Sequence, residues 1–373
     1  MIVVLADDLS GAAELAGVAL RHGLSAEVQT GFSAATDAEV VCVDTDTRLL
    51  PPAEAAHIAA TVARAAVAAR PEWIFKKCDS VLRGPVLAEA RAMARATGRR
   101  RIVILSANPT RGRVIRAGRY FVEDVPLNQT DFAHDPAHPR TTASVAGLLG
   151  NDLAGVETPD AETAADVARA AATVDHSTLP VGAADFFSAL LAARGPASAA
   201  QAMRAQQECA STFNEAGTRT IPHSAIHTPH FPTLLVCGSV ASWGQRRAGA
   251  EKLGIPVFAL PHDLAAAGDA LRSQGCGLLG IGDSPATQGV TPAVLTQTLA
   301  ASVAALLGAV PVARLLLEGG ATARAVIRAQ GWSQLRACEA SAPGIGALRP
   351  TAAPGPLLLI KPGSYPWPAA VWP

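Results

Sequence analysis

The chain has 373 residues, long for a single core, so two domains are the expected organisation. Apolar residues make up 49% and charged residues 17%, a balance that buries surface readily and excludes a disordered chain. Lysine plus arginine and aspartate plus glutamate stand at 31 each, and no basic run exceeds Arg99-Arg100-Arg101, so the electrostatic footprint of a nucleic-acid binder is missing.

An apolar run at 2–6 opens the chain and reaches Asp7 and Asp8 too soon for a signal peptide. No apolar stretch is expected to span a bilayer; 299–312 comes nearest and carries a Gly-x-x-Pro break. A cytoplasmic protein with no membrane and no nucleic-acid partner is therefore expected. Strands are predicted at 2–6, 26–29, 40–43, 72–76 and 102–105, with helices at 12–21, 53–69 and 87–96 between them. From Ser106 to about Arg140 the pattern turns irregular, and a long irregular stretch inside a compact domain is more often functional than idle. The segment 218–232, with three prolines and His223, His227 and His230, reads as a linker. A second alternation follows, with strands at 234–237, 256–259, 277–281, 313–317 and 357–360. The fold class is therefore α/β: a domain over 1–217 and a second over 233–373, each a largely parallel sheet flanked by helices. The six cysteines are scattered without a C-x-x-C pair, several inside apolar runs, and read as buried thiols.

Four segments of the first half could carry chemistry. Asp7 and Asp8 end the first strand and Ser10-Gly11 opens a helix, a place where open α/β sheets bind ligands and where a carboxylate can accept a proton. With Ser10 expected to cap the helix, the Asp8 carboxylate is expected to be free for a substrate; a plain helix cap is the competing reading. Asp44-Thr45-Asp46-Thr47-Arg48 resembles a haloacid-dehalogenase nucleophile loop, except that Arg48 stands where those phosphatases want Thr or Val. Lys76 to Gly84 gathers Lys77, Asp79, Ser80 and Arg83 after a strand, the composition of an anion-binding loop. Arg111-Gly112-Arg113 and the stretch Thr130 to Pro136 lie in the irregular region. The second half places glycine at three strand ends, in Gly238-Ser239, Gly319-Gly320-Ala321-Thr322 and Lys361-Pro362-Gly363-Ser364, where backbone can approach phosphates closely. There is no G-x-x-x-x-G-K-[ST], which excludes a P-loop.

Taken together, these segments resemble the four-carbon acid sugar kinase family. Ala6 to Ala12 matches its A-D-D-x-[ST]-G-A, Asp44 to Arg48 its D-T-x-[ST]-R, Lys77 to Gly84 its K-x-D-S-T-L-R-G, and Gly112-Arg113, Gly118 and Val122 to Pro136 its next block. Four ordered blocks in the first 136 residues displace the phosphatase reading. The match thins later: the family's G-G-[DE]-T is Gly319-Gly320-Ala321-Thr322 here, and Pro362 and Pro366 replace Ser and Gly in its K-S-G-x-F-G.

The resemblance implies an amino-terminal domain that binds the acid sugar, a carboxyl-terminal domain that binds ATP, and an active site in the cleft between them. It implies Asp8, or Asp7, as the group that deprotonates the accepting hydroxyl. Ser10, Arg48, Lys77, Asp79, Ser80, Arg83, Gly84 and Arg113 would bind the substrate. Ser239, Gly319, Gly320, Ala321, Thr322, Lys361 and Gly363 would hold ATP, whose phosphates Mg²⁺ bridges without direct protein ligands. The acid is a threonate, an erythronate or an oxo-tetronate. A homodimer is left open. The missing acid at Ala321 supports a rival reading, a degenerate relative that senses an acid sugar without phosphorylating it.

Overall fold

A computed structural model describes residues 1–135, 137–195, 232–282, 287, 289–338, 345–352, 354–361, 367 and 371. The chain divides into two compact units, Met1–Ala205 and Gln206–Pro373. All of the linker segment except Pro232 lies outside the described residues, as do its three histidines and Cys209.

In the first unit, strands and helices alternate: β1 (Ile2–Ala6), α1 (Leu9–Arg21), β2 (Ala26–Gln29), β3 (Val40–Asp44), α2 (Pro52–Ala68), β4 (Trp73–Lys77), α3 (Val86–Thr97) and β5 (Arg101–Leu105). There follow β6 (Arg113–Arg116), β7 (Arg119–Val122), β8 (Val125–Pro126), α4 (Val145–Leu149), β9 (Val156–Glu157), α5 (Ala164–Ala172), β10 (Thr178–Gly182) and α6 (Ala184–Arg194). The main sheet runs β2-β3-β1-β4-β10-β5-β9 with every pair parallel. A strand covered on both faces must be apolar throughout, and β1 is buried at all five positions. In α2 the alanines Ala55, Ala59, Ala63 and Ala66 form one buried stripe at helical spacing. The chain moves to one side of β1 for β2 and β3 and to the other for β4, so the carboxyl end of β1 is a topological switch point.

The stretch expected to be irregular contains order of its own. β6, β7 and β8 form a small antiparallel sheet, and the segments Leu127–Gln129 and Asp131–His134 are 3₁₀ turns.

In the second unit the elements are β11 (Thr233–Cys237), α7 (Val240–Lys252), β12 (Val257–Ala259), α8 (Leu264–Gln274), β13 (Cys276–Gly280), α9 (Pro292–Ala309), β14 (Arg314–Glu318) and α10 (Gly320–Ala329). The unit ends with β15 (Gln334–Cys338), β16 (Gly346–Pro350) and β17 (Leu357–Lys361). Its strands run β12-β13-β11-β14-β17-β16-β15. The first five are mutually parallel, and β16 pairs antiparallel with both β17 and β15. β11 is again a switch point, with β13 on one side and β14 on the other.

Helix α9 is longer than the sequence led us to expect: at 18 residues it is long and apolar enough, by length and composition alone, to cross a membrane. Leu299, Ala300, Val303 and Leu306 are buried here, on a face that packs in the helical layer with α8 and α10. Cys42, Cys78, Cys237 and Cys338 are buried and Cys276 is half-buried, and none of these five forms a disulfide among the described residues.

Candidate active site

At the carboxyl end of β1, Asp8 leaves the strand with an extended backbone and caps α1, its carboxylate accepting from Gly11 N at 2.8 Å and from Ser10 Oγ at 2.5 Å. The expectation that Ser10 caps the helix and frees Asp8 is thus corrected: the residue with non-helical φ/ψ is Asp8, so its side chain, two residues earlier, faces the open N–H groups. Arg48, on the loop after β3, then reaches across. Its Nε and Nη2 donate to the two oxygens of Asp7 at 2.9 Å each. Its Nη1 and Nη2 donate to those of Asp8 at 2.9 and 2.8 Å, and Nη1 lies 3.7 Å from Asp79. The loop is held there by backbone bonds from Thr47 N and Arg48 N to the carbonyl of Asp7. The carboxylate of Asp8 therefore has four donors, about its full acceptor capacity.

The β4 strand runs one residue further than expected, to Lys77, which puts Lys76 and Lys77 on opposite faces of the sheet. Lys76 Nζ is fully buried, 3.0 Å from Glu89 of α3, and Thr47 Oγ1 donates to that same carboxylate at 2.6 Å. Lys77 Nζ lies 3.6 Å from Glu14 of α1 and donates to Cys78 O at 2.9 Å. After the strand, Asp79 folds the loop back, accepting from Val81 N and Arg83 N, and takes a two-pronged grip from Arg83 Nε and Nη2 at 3.0 and 2.8 Å. Arg83 Nη1 donates to Asp135 at 3.0 Å. Arg113, buried at the start of β6, donates to Ser80 Oγ, and the buried Tyr120 hydroxyl donates to Ser80 O. Gly84 has a φ of +86°, and a Cβ there would stand 2.9 Å from Arg48 O, so both conformation and space require glycine.

The electrostatics follow from this interlock. Burial opposes ionisation of Asp7, but Arg48, Lys76 and Lys77 outweigh it and hold the carboxyl below its ordinary range. For Asp79, burial is likewise overcome, by Arg83 and Arg48, and its carboxyl sits well below the usual value. Glu89 goes the other way, raised by burial and by the Asp7 charge despite Lys76. Burial pushes the Cys78 thiol up to about 12, so it is no nucleophile. Asp7, Asp8, Arg48, Asp79 and Arg83 thus form one ion-pair network, with Ser10 on Asp8 and Gly84 against Arg48, while Lys77 is held by Glu14 and Arg113 joins Ser80. Sequence patterns did not single out Glu14, Glu89 or Tyr120, which hold Lys77, Lys76 and Ser80. They lie on other elements at distances no local motif spans.

The strand ends of the second unit are built differently. Ser239 caps α7, its Oγ accepting from Ser242 N at 3.3 Å. Gly238 packs directly on the Thr322 side chain, where any Cβ would overlap Thr322 Oγ1. Gly319 precedes α10 as its N-cap without a side-chain bond to the helix, so the first turn, Gly320 to Thr322, starts uncapped. Thr322 itself is buried and Ala321 is exposed. Lys361 does not face a strand-end opening: its ammonium is fully buried, 2.9 Å from the equally buried Glu318. Arg246 Nε from α7 and Trp367 Nε1 donate to the other Glu318 oxygen at 2.8 and 3.2 Å, and Lys361 Nζ lies 5.3 Å over the Trp367 ring. Burial disfavours the Glu318 charge, but Arg246 and Lys361 hold its carboxyl lowered; burial, with Arg246, lowers Lys361 in turn despite Glu318. Gly363, Pro362 and Pro366 lie outside the described residues.

Comparison with known proteins places this geometry. Residues 2–179 match the family model of a sugar-binding N-terminal domain. The chain is 35% identical over 176 residues to a D-threonate kinase of Bordetella bronchiseptica, across 45% of this chain and 43% of that protein. It is 28% identical to a 3-oxo-tetronate kinase of Cupriavidus necator across 97% of this chain and 93% of that one. The chain spans less than half the length of the first curated relatives it matches. A solved Haemophilus influenzae protein of the DUF1537 family shares the fold with a TM-score of 0.66 at 17% identity, covering 98% of this chain and 97% of that one. The four ordered motifs of the first unit are gathered on one sheet end, within the residues that match the sugar-binding N-terminal domain and that are similar to proteins named D-threonate kinase, D-erythronate kinase and 3-oxo-tetronate kinase.

Proposed function

We propose that the protein transfers the γ-phosphoryl group of ATP to the terminal hydroxyl of a four-carbon acid sugar, a threonate, an erythronate or an oxo-tetronate. The observation that carries this reading is the network at the β1 switch point, where two adjacent carboxylates stand among Arg48, Lys77, Arg83 and Arg113. Such a set can hold an anionic substrate and accept a hydroxyl proton, and phosphoryl transfer asks for alignment and charge neutralisation above all.

The residues divide the work. Arg48 ties Asp7, Asp8 and Asp79 together and orients the acids, and the substrate carboxylate is assigned to Arg83 and Arg113, with Arg83 Nη1 exchanging its bond to Asp135 for one to the acid. Asp8, partly exposed where Asp7 is buried, receives the proton. Since its oxygens are already taken, the incoming hydroxyl displaces the Ser10 hydroxyl from Asp8 Oδ2 and its proton passes to that oxygen as the bond to phosphorus forms. ATP is proposed to use the second unit, on the uncapped first turn of α10 beside Gly238 and Ser239, which offers free N–H groups to phosphate oxygens. Lys361, tied to Glu318 beneath Trp367, then shapes that end of β17 from behind. Mg²⁺ would come with ATP and neutralise its phosphates; Asp7, Asp8 and Asp79 are turned onto Arg48. The cytoplasm is the compartment this chemistry suits.

Rate measurements with ATP against threonates, erythronates and 3-oxo-tetronates test the reading: acid-dependent ADP release is expected. Binding of acid and nucleotide without turnover would favour the sensing alternative, which the alanine at 321 supports.

A further inference from the structure

Phe132 belongs to the 3₁₀ turn Asp131–His134 and is half-buried, so its ring is not held there by full enclosure. Two guanidinium groups lie over that ring, Arg83 Cζ at 5.6 Å and Arg113 Cζ at 5.5 Å from the centroid. Both distances are within cation–π range, and the negative ring face eases the repulsion between two like charges gathered in one place. The chain just after the turn is pinned by several bonds. Asp135 accepts from Arg83 and from the N–H groups of Ala137 and His138 at 3.0 and 2.8 Å. His138 Nε2 bonds the carbonyl of Arg48 at 2.9 Å, and Arg140 Nη1 donates to Leu82 O at 2.7 Å. Phe132 is thus held by the same loop that contacts Arg48, Leu82 and Arg83, and it meets the two arginines assigned above to the substrate carboxylate.

We propose that Phe132 is a positioning residue for the acid: its ring sets the planes of the Arg83 and Arg113 forks so that one carboxylate can engage both. This inference rests on the acid-sugar reading. A guanidinium grips a carboxylate well only when its plane is fixed; Asp79 and Asp135 hold Arg83 along its edges, and the ring face supports the planes of Arg83 and Arg113 together. Phe132→Leu keeps apolar bulk and removes the face; Phe132→Tyr keeps the face.

The test is calorimetric binding of D-threonate, D-erythronate and 3-oxo-tetronate as probes, with kcat, the KM values for acid and ATP, and melting temperature for each variant. Phe132→Leu should weaken acid binding about three- to thirty-fold and raise the acid KM in parallel, with kcat and the ATP KM little changed. Phe132→Tyr should bind as the parent does. Equal losses in Phe132→Leu and Phe132→Tyr would overturn the inference, since packing and not the ring face would then be responsible. Unaltered binding in Phe132→Leu beside weakened binding in Arg83→Lys would overturn it alone. A parent protein that binds none of the three acids would overturn the acid-sugar reading and this inference together.

Discussion

The carboxyl end of the first unit's sheet is crowded with interlocked charge, whereas the equivalent end of the second unit's sheet is made of backbone. Around β1, nearly every functional side chain is held by another of opposite charge: Arg48 by three acids, Arg83 by two, Lys77 by Glu14. Around β11 and β14, the residues that follow the strand ends include Gly238, Gly319, Gly320 and Ala321, and the ion network of Glu318 with Lys361 and Arg246 is buried. A small hydroxy-acid needs several directional contacts, which only side chains supply. A polyphosphate needs N–H groups and close approach, which side chains would obstruct. On the proposed reading, the difference in construction is what a two-substrate transfer would demand of its two halves.

Substitutions should separate the two constructions. The largest effect is expected for Asp8→Asn, which removes the proton acceptor: turnover should fall by roughly two to four orders of magnitude. Asn still caps α1, but its amide faces the Arg48 donors, so the melting temperature should drop modestly. Normal turnover in both Asp8→Asn and Asp7→Asn would remove this pair from the mechanism. Next comes Lys361→Met, which leaves the buried Glu318 with the Arg246 charge and the Trp367 N–H. Unfolding in denaturant should show about 3 kcal/mol of lost stability, the usual cost of breaking a buried pair, while acid binding by the first unit is unchanged. A Lys361→Met protein that is fully stable but cannot bind ATP would show that Lys361 reaches the nucleotide after all.

Smaller effects are expected in the first unit's cations and in its pH response. Arg83→Lys should raise the acid KM about tenfold without altering the ATP KM, because an ammonium cannot reproduce the two-pronged grip on Asp79 that orients this cation. Asp79 binds its proton less readily folded than unfolded, so its contribution is fully present above the ordinary carboxylate pKa and is lost as pH falls through its lowered value. The stability gap between the parent and Asp79→Asn should therefore hold constant above about pH 5 and close below about pH 4. Glu89, raised by burial, has the opposite sign and should make Glu89→Gln relatively more stable as pH rises.

Much of this was legible from residue order, because parallel strands buried on both faces leave continuous apolar runs and their loops carry compact motifs. The strands around Asp7, Lys77, Cys237 and Glu318 lie within a residue of the bounds expected for them. β15 and β16 were not legible: β16 pairs antiparallel with both β15 and β17, and Arg336 and Arg349 interrupt their apolar pattern. The small β6-β7-β8 sheet was hidden by its charged, turn-rich composition, with Ala117, Glu123 and Asp124 all at positive φ. Within the site, residue types announced which groups carry charge, but not which are satisfied. That Asp8 would already hold four donors, and Lys361 none to spare for the surface, depends on Arg48, Ser10 and Glu318 meeting them through the fold.

The most direct test of the central claim follows phosphorus itself. The protein is incubated with ATP, magnesium and each of D-threonate, D-erythronate and 3-oxo-tetronate, and ³¹P NMR follows the γ-phosphate. A new phosphomonoester on the terminal oxygen of one acid, formed in step with ADP and abolished by Asp8→Asn, is the predicted result. Acid and ATP both bound with no phosphomonoester formed, or ADP released equally without any acid, would contradict the account.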